Sequence, residues 1–297
     1  METGYMYNSI HIVFFSGTGG TERVARAFQG NLAERGISAP MTALEGAALK
    51  GGWGEGEAKP ELMILVFAVH AFDAPEPVYA WIANTEFAGV RAAVVSVSGG
   101  GEGWPNTGCR NGVIAALEHR GAAVVYEKMM VMPCNWVVPI GDDEAMHLMN
   151  RMPGKVSTVL DAVLSGKTRR TRHHKGFLRA WVTKQEKQGC RRFPESISVG
   201  EGCTGCGLCA RSCPAGNISM KDGKPAFADR CVMCFRCVYG CPARAMSSTN
   251  FMVLKGGFDI AALETRMAGA ELRPVERCFR GIAWQSVRKY IQDKDGD

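Results

Sequence analysis

Eight of the twelve cysteines in this 297-residue chain fall into two copies of one spacing. The first copy is Cys203-x2-Cys206-x2-Cys209-x3-Cys213-Pro214, and the second is Cys231-x2-Cys234-x2-Cys237-x3-Cys241-Pro242. Such close steps let three thiolates converge on one face of a tight loop, and thiolate is a soft ligand suited to iron–sulfur clusters or zinc. A zinc ribbon needs only four ligands, usually as two separated C-x2-C pairs. That leaves the third cysteine, the x3 step and the proline unexplained in both copies. An iron–sulfur centre accounts for the whole run; a structural zinc-binding module is the alternative.

A length prior of ~150 residues per domain suggests about two domains. Hydrophobic content of 46% and charged content of 22% suit a soluble globular chain with a sizeable core. Met1 to Asn8 shows no basic region leading into an apolar one, so no secretory signal is expected. The longest apolar run, Leu62 to Ala71, falls short of the ~20 residues of a membrane span. Many cysteines without an export signal argue for reduced, metal-binding thiols and a cytoplasmic location. The oligomeric state stays open.

The net charge of +6 is unevenly placed. Lys167 to Arg192 holds ten Lys/Arg against one acid, Glu186, a local +9 that leaves −3 for the rest. His173 and His174 lie in the same stretch. A basic segment can meet nucleic acid, anionic lipid or an acidic protein; a solvated linker helix is the plain reading, and docking of an acidic redox protein is the functional one. Nucleic acid is not an expected partner, because no recognition motif accompanies the charge.

The first half alternates strand and helix. Strands are expected over Ile10–Phe15, Ile37–Leu44, Leu62–Val69, Arg91–Val97 and Ala122–Val131. Helices are expected over Thr21–Glu34, Val78–Ile82, Asn106–Arg120 and Asp143–Leu164, with Pro153 interrupting or re-capping the last. This order argues for an α/β domain with a doubly wound parallel sheet. Phe177–Thr183 reads as a short amphipathic helix, and Phe258–Met267 and Val275–Ile291 as helices that pack the tail back on either part.

The first strand runs into Ser16-Gly17-Thr18-Gly19-Gly20-Thr21 and then a helix. Hydroxyls and backbone N–H groups at a helix N-terminus suit a phosphate. The loop matches neither the G-x-x-x-x-G-K-[ST] pattern nor the G-x-G-x-x-G fingerprint. It resembles the [ST]-x-T-G-x-T loop of flavodoxins at Ser16, Thr18, Gly19 and Thr21, and this resemblance implies a bound FMN phosphate. In that topology the ring lies at the carboxyl ends of the strands. The expected ring contacts are therefore His70, Ala71 and Phe72 after the third strand, and Ser98, Gly99, Gly100, Gly101 and Trp104 after the fourth. Phe72 and Trp104 are candidate stacking aromatics, and Glu102 is expected to depress the flavin potential by its charge.

The cysteine runs resemble those of bacterial two-cluster ferredoxins, in which the fourth cysteine of each run ligates the other cluster. That resemblance implies Cys203, Cys206, Cys209 and Cys241 for cluster I, and Cys231, Cys234, Cys237 and Cys213 for cluster II, both [4Fe–4S]. Taken together, with Gly99–Glu102, Asn106–Arg110 and Met132–Trp136, the chain resembles the flavodoxin–ferredoxin fusion proteins of anaerobic bacteria. The implied layout is a flavodoxin-like FMN domain at 1–165, a basic linker at 166–194, a small α+β two-cluster ferredoxin domain at 195–250 and a helical extension at 251–297. The implied function is electron transfer between FMN, the clusters and a redox protein donor or acceptor. The alternative is an FMN-dependent reductase of a small substrate, fed by its own clusters, with His70 as a proton donor. Cys109, Cys134, Cys190 and Cys278 share no spacing and read as small hydrophobes.

Overall fold

Continuous apolar runs must be covered on both faces, and the first half of the chain meets that demand with a parallel sheet between helices. The computed structural model describes residues 7–54, 56–137, 140–171 and 176–293. The start of the N-terminal segment and residues 172–175 of the basic stretch lie outside the described residues. The strands are β1 (Ile10–Phe15), β2 (Met41–Ala43), β3 (Leu62–Ala68), β4 (Arg91–Ser98) and β5 (Ala123–Val131). All pair in parallel, in the order β2-β1-β3-β4-β5. This is the flavodoxin-like doubly wound order, with its switch point between β1 and β3.

Helices α1 (Gly20–Glu34) and α4 (Asp142–Leu164) cover one face, and α2 (Glu76–Ala83) and α3 (Asn111–His119) cover the other. On the first face Val24, Phe28, Leu32, Val156 and Leu160 pack on Ile10, Ile12 and Phe14. On the second, Trp81, Ile82, Val113 and Leu117 pack with Val13 and Phe15. Burial of each such side chain contributes roughly 1.5–3 kcal/mol. The adjacent residues Phe14 and Phe15 therefore serve opposite faces, as period-2 alternation requires.

Four sequence expectations shift. The second strand is confined to Met41–Ala43, at the sheet edge. The helix expected from Asn106 starts at Asn111, after a single 3-10 turn over Asn106–Gly108. Pro153 neither interrupts nor re-caps α4, which runs through it. A proline there forfeits a backbone hydrogen bond and crowds the preceding turn, but Met149, Met152 and Val156 on either side are buried and hold the helix in line. The helix expected over Val275–Ile291 is two pieces, broken around Gly281.

Arg110 enters the core at the start of α3. It is fully buried, and its Nε lies 2.7 Å from Oε2 of Glu127, itself 1% exposed. Its remaining nitrogens reach Ser96 Oγ at 2.9 Å and the Glu102 carboxylate. Glu127 also accepts from the Thr171 amide at 2.6 Å, which fastens the chain leaving α4 to β5.

Beyond it, α5 spans Phe177–Arg192, far longer than the sequence expectation. The cysteine region is built from short pieces. Strand β6 (Ile197–Val199) pairs antiparallel with β9 (Met246–Ser248), and β7 (Ile218–Lys221) with β8 (Lys224–Phe227). Each cysteine run leads into a four-residue helix, α6 (Leu208–Arg211) or α7 (Arg236–Tyr239). The tail forms α8 (Ile260–Arg266), α9 (Val275–Cys278) and α10 (Gln285–Gln292). It packs on the parallel-sheet domain: Ile260 and Leu263 join the α1/α4 core, and Val287 and Ile291 pack with Val131 and Leu148. The Arg23–Glu264 pair at 2.6 Å and the Arg266–Asp142 pair at 2.7 Å strap it down. Among the described residues no helix is long and apolar enough to cross a membrane.

Arg110→Met leaves Glu127 as an uncompensated buried charge, and a loss of about 3–5 kcal/mol is expected. Urea unfolding checks this, with Arg110→Met/Glu127→Gln expected to recover part of the loss. An Arg110→Met midpoint equal to wild type would remove the buried pair from any structural role.

Candidate redox centre

The loop between β1 and α1 folds around one hydroxyl. Ser16 is buried, and its Oγ accepts the amides of Gly19 at 3.2 Å and Glu22 at 3.3 Å. The amides of Gly20 and Thr21 belong to the first turn of α1, where no intrahelical carbonyl is in reach and the helix dipole favours an anion. Thr18 Oγ1 is held by Asn135 Nδ2 at 2.8 Å. The loop forms one wall of a cavity at the carboxyl end of the sheet. The other walls come from the segments after β3, β4 and β5, the position that open α/β sheets use for ligands.

The segment after β3 is a tight turn. His70 and Asp73 exchange backbone hydrogen bonds of 2.9 and 3.0 Å, while Ala71 (φ 51°) and Phe72 (φ 57°) both take left-handed conformations. Such a turn ordinarily carries Asn-Gly, and each non-glycine residue there costs on the order of 1–3 kcal/mol. The surroundings hold it. Asp73 accepts from Tyr79 Oη at 2.7 Å and pairs with Lys187 Nζ at 2.6 Å. His70 Nδ1 lies 2.8 Å from the Val232 carbonyl. A carbonyl only accepts, so Nδ1 carries the proton. Burial pulls the His70 pKa down to about 4, against the opposing effect of the Val232 bond. The ring is neutral at pH 7 and its one N–H is committed.

Val232 belongs to the second cysteine run, which completes the cavity. Met233 and Phe235 line it, while Val232 and Cys234 join the α2/α3 core. The two backbones nearly touch: a Cβ on Gly17 would stand 2.7 Å from the Cys234 carbonyl oxygen. Arg236 clamps the contact, donating to the Ser16 carbonyl at 2.5 Å, the Gly17 carbonyl at 3.1 Å and the Ser212 carbonyl at 2.9 Å. It also pairs with Glu45.

The two cysteine runs share a backbone path. In the first, Gly205 (φ 69°) and Gly207 (φ 71°) flank Cys206 in left-handed conformations. In the second, the equivalent positions are Met233 (φ 51°) and Phe235 (φ 62°). Glycine adopts this conformation without steric cost and these side chains do not. Both strained side chains are ones that face the cavity. Phe235 is buried and held edge-on by Phe193, with ring centroids 5.3 Å apart.

Cys203, Cys206, Cys209, Cys237 and Cys241 line one cleft. Burial pushes the Cys231 thiol up to about 12, with Cys234, Cys190 and Cys213 adding to the rise. Burial also raises Cys237, and Cys234, Cys231, Cys213 and Cys209 reinforce it. The Asn217 amide donates to Cys213 Sγ at 3.2 Å, and the Met233 amide to Cys231 Sγ at 3.3 Å. Among the described residues no three His, Cys, Asp or Glu are arranged to hold a single metal ion.

Of the contacts expected from sequence, Ser16, Gly17, Thr18, Gly20 and Thr21 line the cavity, as do His70, Ala71, Phe72, Ser98, Gly99 and Gly100. Gly19 instead precedes α1 and accepts the Arg23 amide, and Gly101 packs against Ser286. Trp104 is 65% exposed and outside the cavity wall. Glu102 is turned to Arg110, whose guanidinium it shares with Glu127, and lies outside the cavity wall. Sequence reasoning missed Met132 to Val137, Glu186, Cys190 and Phe258 as wall residues. The loop after β5 was open to discovery, because every strand of this topology ends at the same side of the sheet.

Residues 196–242 match the family model of the 4Fe-4S dicluster domain. No curated protein sequence matches the chain. Solved structures similar to it include oxidised flavodoxin 1 from Bacillus cereus, with 19% identity, 48% of this chain and 94% of that one covered, and a TM-score of 0.33. A mutant flavodoxin from Fusobacterium nucleatum bound to flavin mononucleotide has 14% identity, 53% and 95% coverage and a TM-score of 0.36. An NADH:FMN oxidoreductase in its apo form has 13% identity, 56% and 92% coverage and a TM-score of 0.41. The chain joins a flavodoxin-like fold to a 4Fe-4S dicluster domain.

His70 supplies a pH test. The unfolded ring takes up its proton near pH 6.5 and the folded ring near pH 4. The folded state therefore binds fewer protons between these values, and wild type loses stability as pH falls from 6.5 toward 4. Relative to His70→Gln, the loss is expected to be on the order of 1–3 kcal/mol. Parallel stability curves for the two proteins would show that the ring titrates freely.

Proposed function

We propose that this chain is an electron carrier that couples FMN, held at the carboxyl ends of β1, β3, β4 and β5, to two [4Fe–4S] clusters and to a separate redox protein. The observation that carries this reading is the shared wall: Met233 and Phe235 of the second cysteine run line the same cavity as Ser16 to Thr21. FMN supplies storage of one or two electrons, and each cluster passes one electron at a time.

The residues fit these groups. The α1 N-terminus and the Thr18 and Thr21 hydroxyls suit a phosphate. Phe72, Met132 and Val137 offer apolar surface to a flavin ring. The inward face of α5 contributes Glu186 and Cys190 to the cavity. Two sets of four thiols suit clusters: Cys203, Cys206, Cys209 and Cys241 for cluster I, and Cys231, Cys234, Cys237 and Cys213 for cluster II.

The second run is the one pressed against the flavin loops. The first run includes Cys206, which is exposed, and is the side offered to an external redox protein. Direct reduction of a small substrate has less support. It needs a proton donor at the cavity, and His70 is neutral with its N–H spent on Val232.

Anaerobically isolated protein is expected to contain about eight iron, eight sulfide and one FMN per chain. Zinc in place of iron, or clusters without flavin, would overturn the reading. Gly17→Val drives a side chain into the Cys234 carbonyl. It is expected to slow flavin reduction through the clusters while iron content holds. Unchanged rapid-mixing kinetics in that variant would mean the contact does not set the coupling.

A further inference from the structure

Helix α5 is built inside out. Its inward positions are Arg179, Val182, Thr183, Glu186, Lys187 and Cys190, five of them polar or ionisable. Its outward face begins with Phe177, Leu178 and Trp181, which are 86%, 60% and 52% exposed. A helix that packs on a protein for stability does the reverse. The inward polarity already has a use, since Arg179 donates to the Phe72 carbonyl at 3.3 Å and Lys187 pairs with Asp73 at 2.6 Å. The outward apolar residues are left exposed among the described residues.

Those three residues span the first five positions of the helix, so they form one apolar tip. The rest of the exposed face continues through Lys184, Gln188, Arg191 and Arg192. A helix of 16 residues is about 24 Å long, which separates an apolar end from a basic end on one surface.

We propose that the outward face of α5 docks this protein on an anionic lipid bilayer, with Phe177, Leu178 and Trp181 entering the interface and Lys184, Arg191 and Arg192 meeting the headgroups. Apolar residues at the head of an exposed face and cations along the rest of it suit a surface with an apolar interior and charged headgroups. The charge suits an anionic surface, where Lys and Arg near the headgroups add attraction. The apolar tip stands out from a single convex helix. A bilayer deforms around such a tip, whereas a protein partner must present a matching groove. The docked face is opposite to the one that lines the flavin cavity, so binding leaves that cavity's walls in place.

The test is sedimentation of the full-length, cluster-loaded chain with vesicles of phosphatidylcholine alone and of phosphatidylcholine with phosphatidylglycerol. Wild type is expected to bind the anionic vesicles and to bind neutral ones at least about tenfold more weakly. Phe177→Ser/Leu178→Ser/Trp181→Ser should weaken binding about tenfold or more. Lys184→Glu/Arg191→Glu/Arg192→Glu should erase the preference for anionic lipid. Both sets of residues are on the surface, and an unchanged cluster absorbance spectrum verifies folding. No sedimentation of wild type, or equal binding by the apolar triple variant, overturns the proposal. If wild type ignores vesicles but the charge variant loses salt-sensitive electron transfer to an acidic protein, the face belongs to a protein partner and the lipid assignment falls.

Discussion

The contact between Gly17 and Cys234 is the constraint on which the rest of the arrangement depends. Two loops from distant parts of the chain meet backbone to backbone, with no room for a side chain between them. Arg236 secures the contact because it sits between Cys234 and Cys237 in sequence and reaches three carbonyls and a carboxylate. The same contact places Val232 and Cys234 in the hydrophobic core of the parallel-sheet domain. The cysteine region is therefore not a tethered module that samples positions. Its second motif is part of the first domain's packing.

That packing explains why the tail and α5 sit where they do. A small cysteine-rich unit has little core of its own, and much of its folding free energy comes from its metal groups. Docking supplies additional burial. The aromatic series Phe193, Phe235, Tyr239 and Phe258 runs across the junction and links α5's exit, the second cysteine run and the tail. Tyr239 Oη also donates to the Asn135 carbonyl at 3.0 Å and accepts the Leu254 amide at 2.9 Å. One hydroxyl thus joins three segments around the cavity.

Much of this was legible in the sequence, and the reasons for the exceptions are physical. The buried runs at Ile10–Phe15 and Leu62–Ala68 announced a covered parallel sheet, and spacing alone exposed both cysteine motifs. Local signals failed where long-range contacts decide. Pro153 reads as a helix break, but the packing of α4 overrides it. Glu102 reads as a charge next to a cofactor, but its carboxylate turns away from the cavity to Arg110, eight residues on. Phe177–Thr183 shows only part of α5, because the remainder is polar on the side that faces the protein, against the usual pattern. Met233 and Phe235 carry no sequence signal as cavity residues until the second run is seen against Ser16 to Thr21.

The exchange of Gly205 and Gly207 for Met233 and Phe235 has a consequence for how such a chain can diverge. Two repeats with the same metal-binding grammar begin as interchangeable halves. Once one repeat carries bulky residues in glycine conformations, the halves become a matched left and right. A first-run sequence grafted into the second position would still gather its cysteines but would leave a hole in the cavity wall. A second-run sequence in the first position would bear the backbone strain with nothing to pack against. The repeat has acquired an address, and drift in either half is confined to changes that respect it.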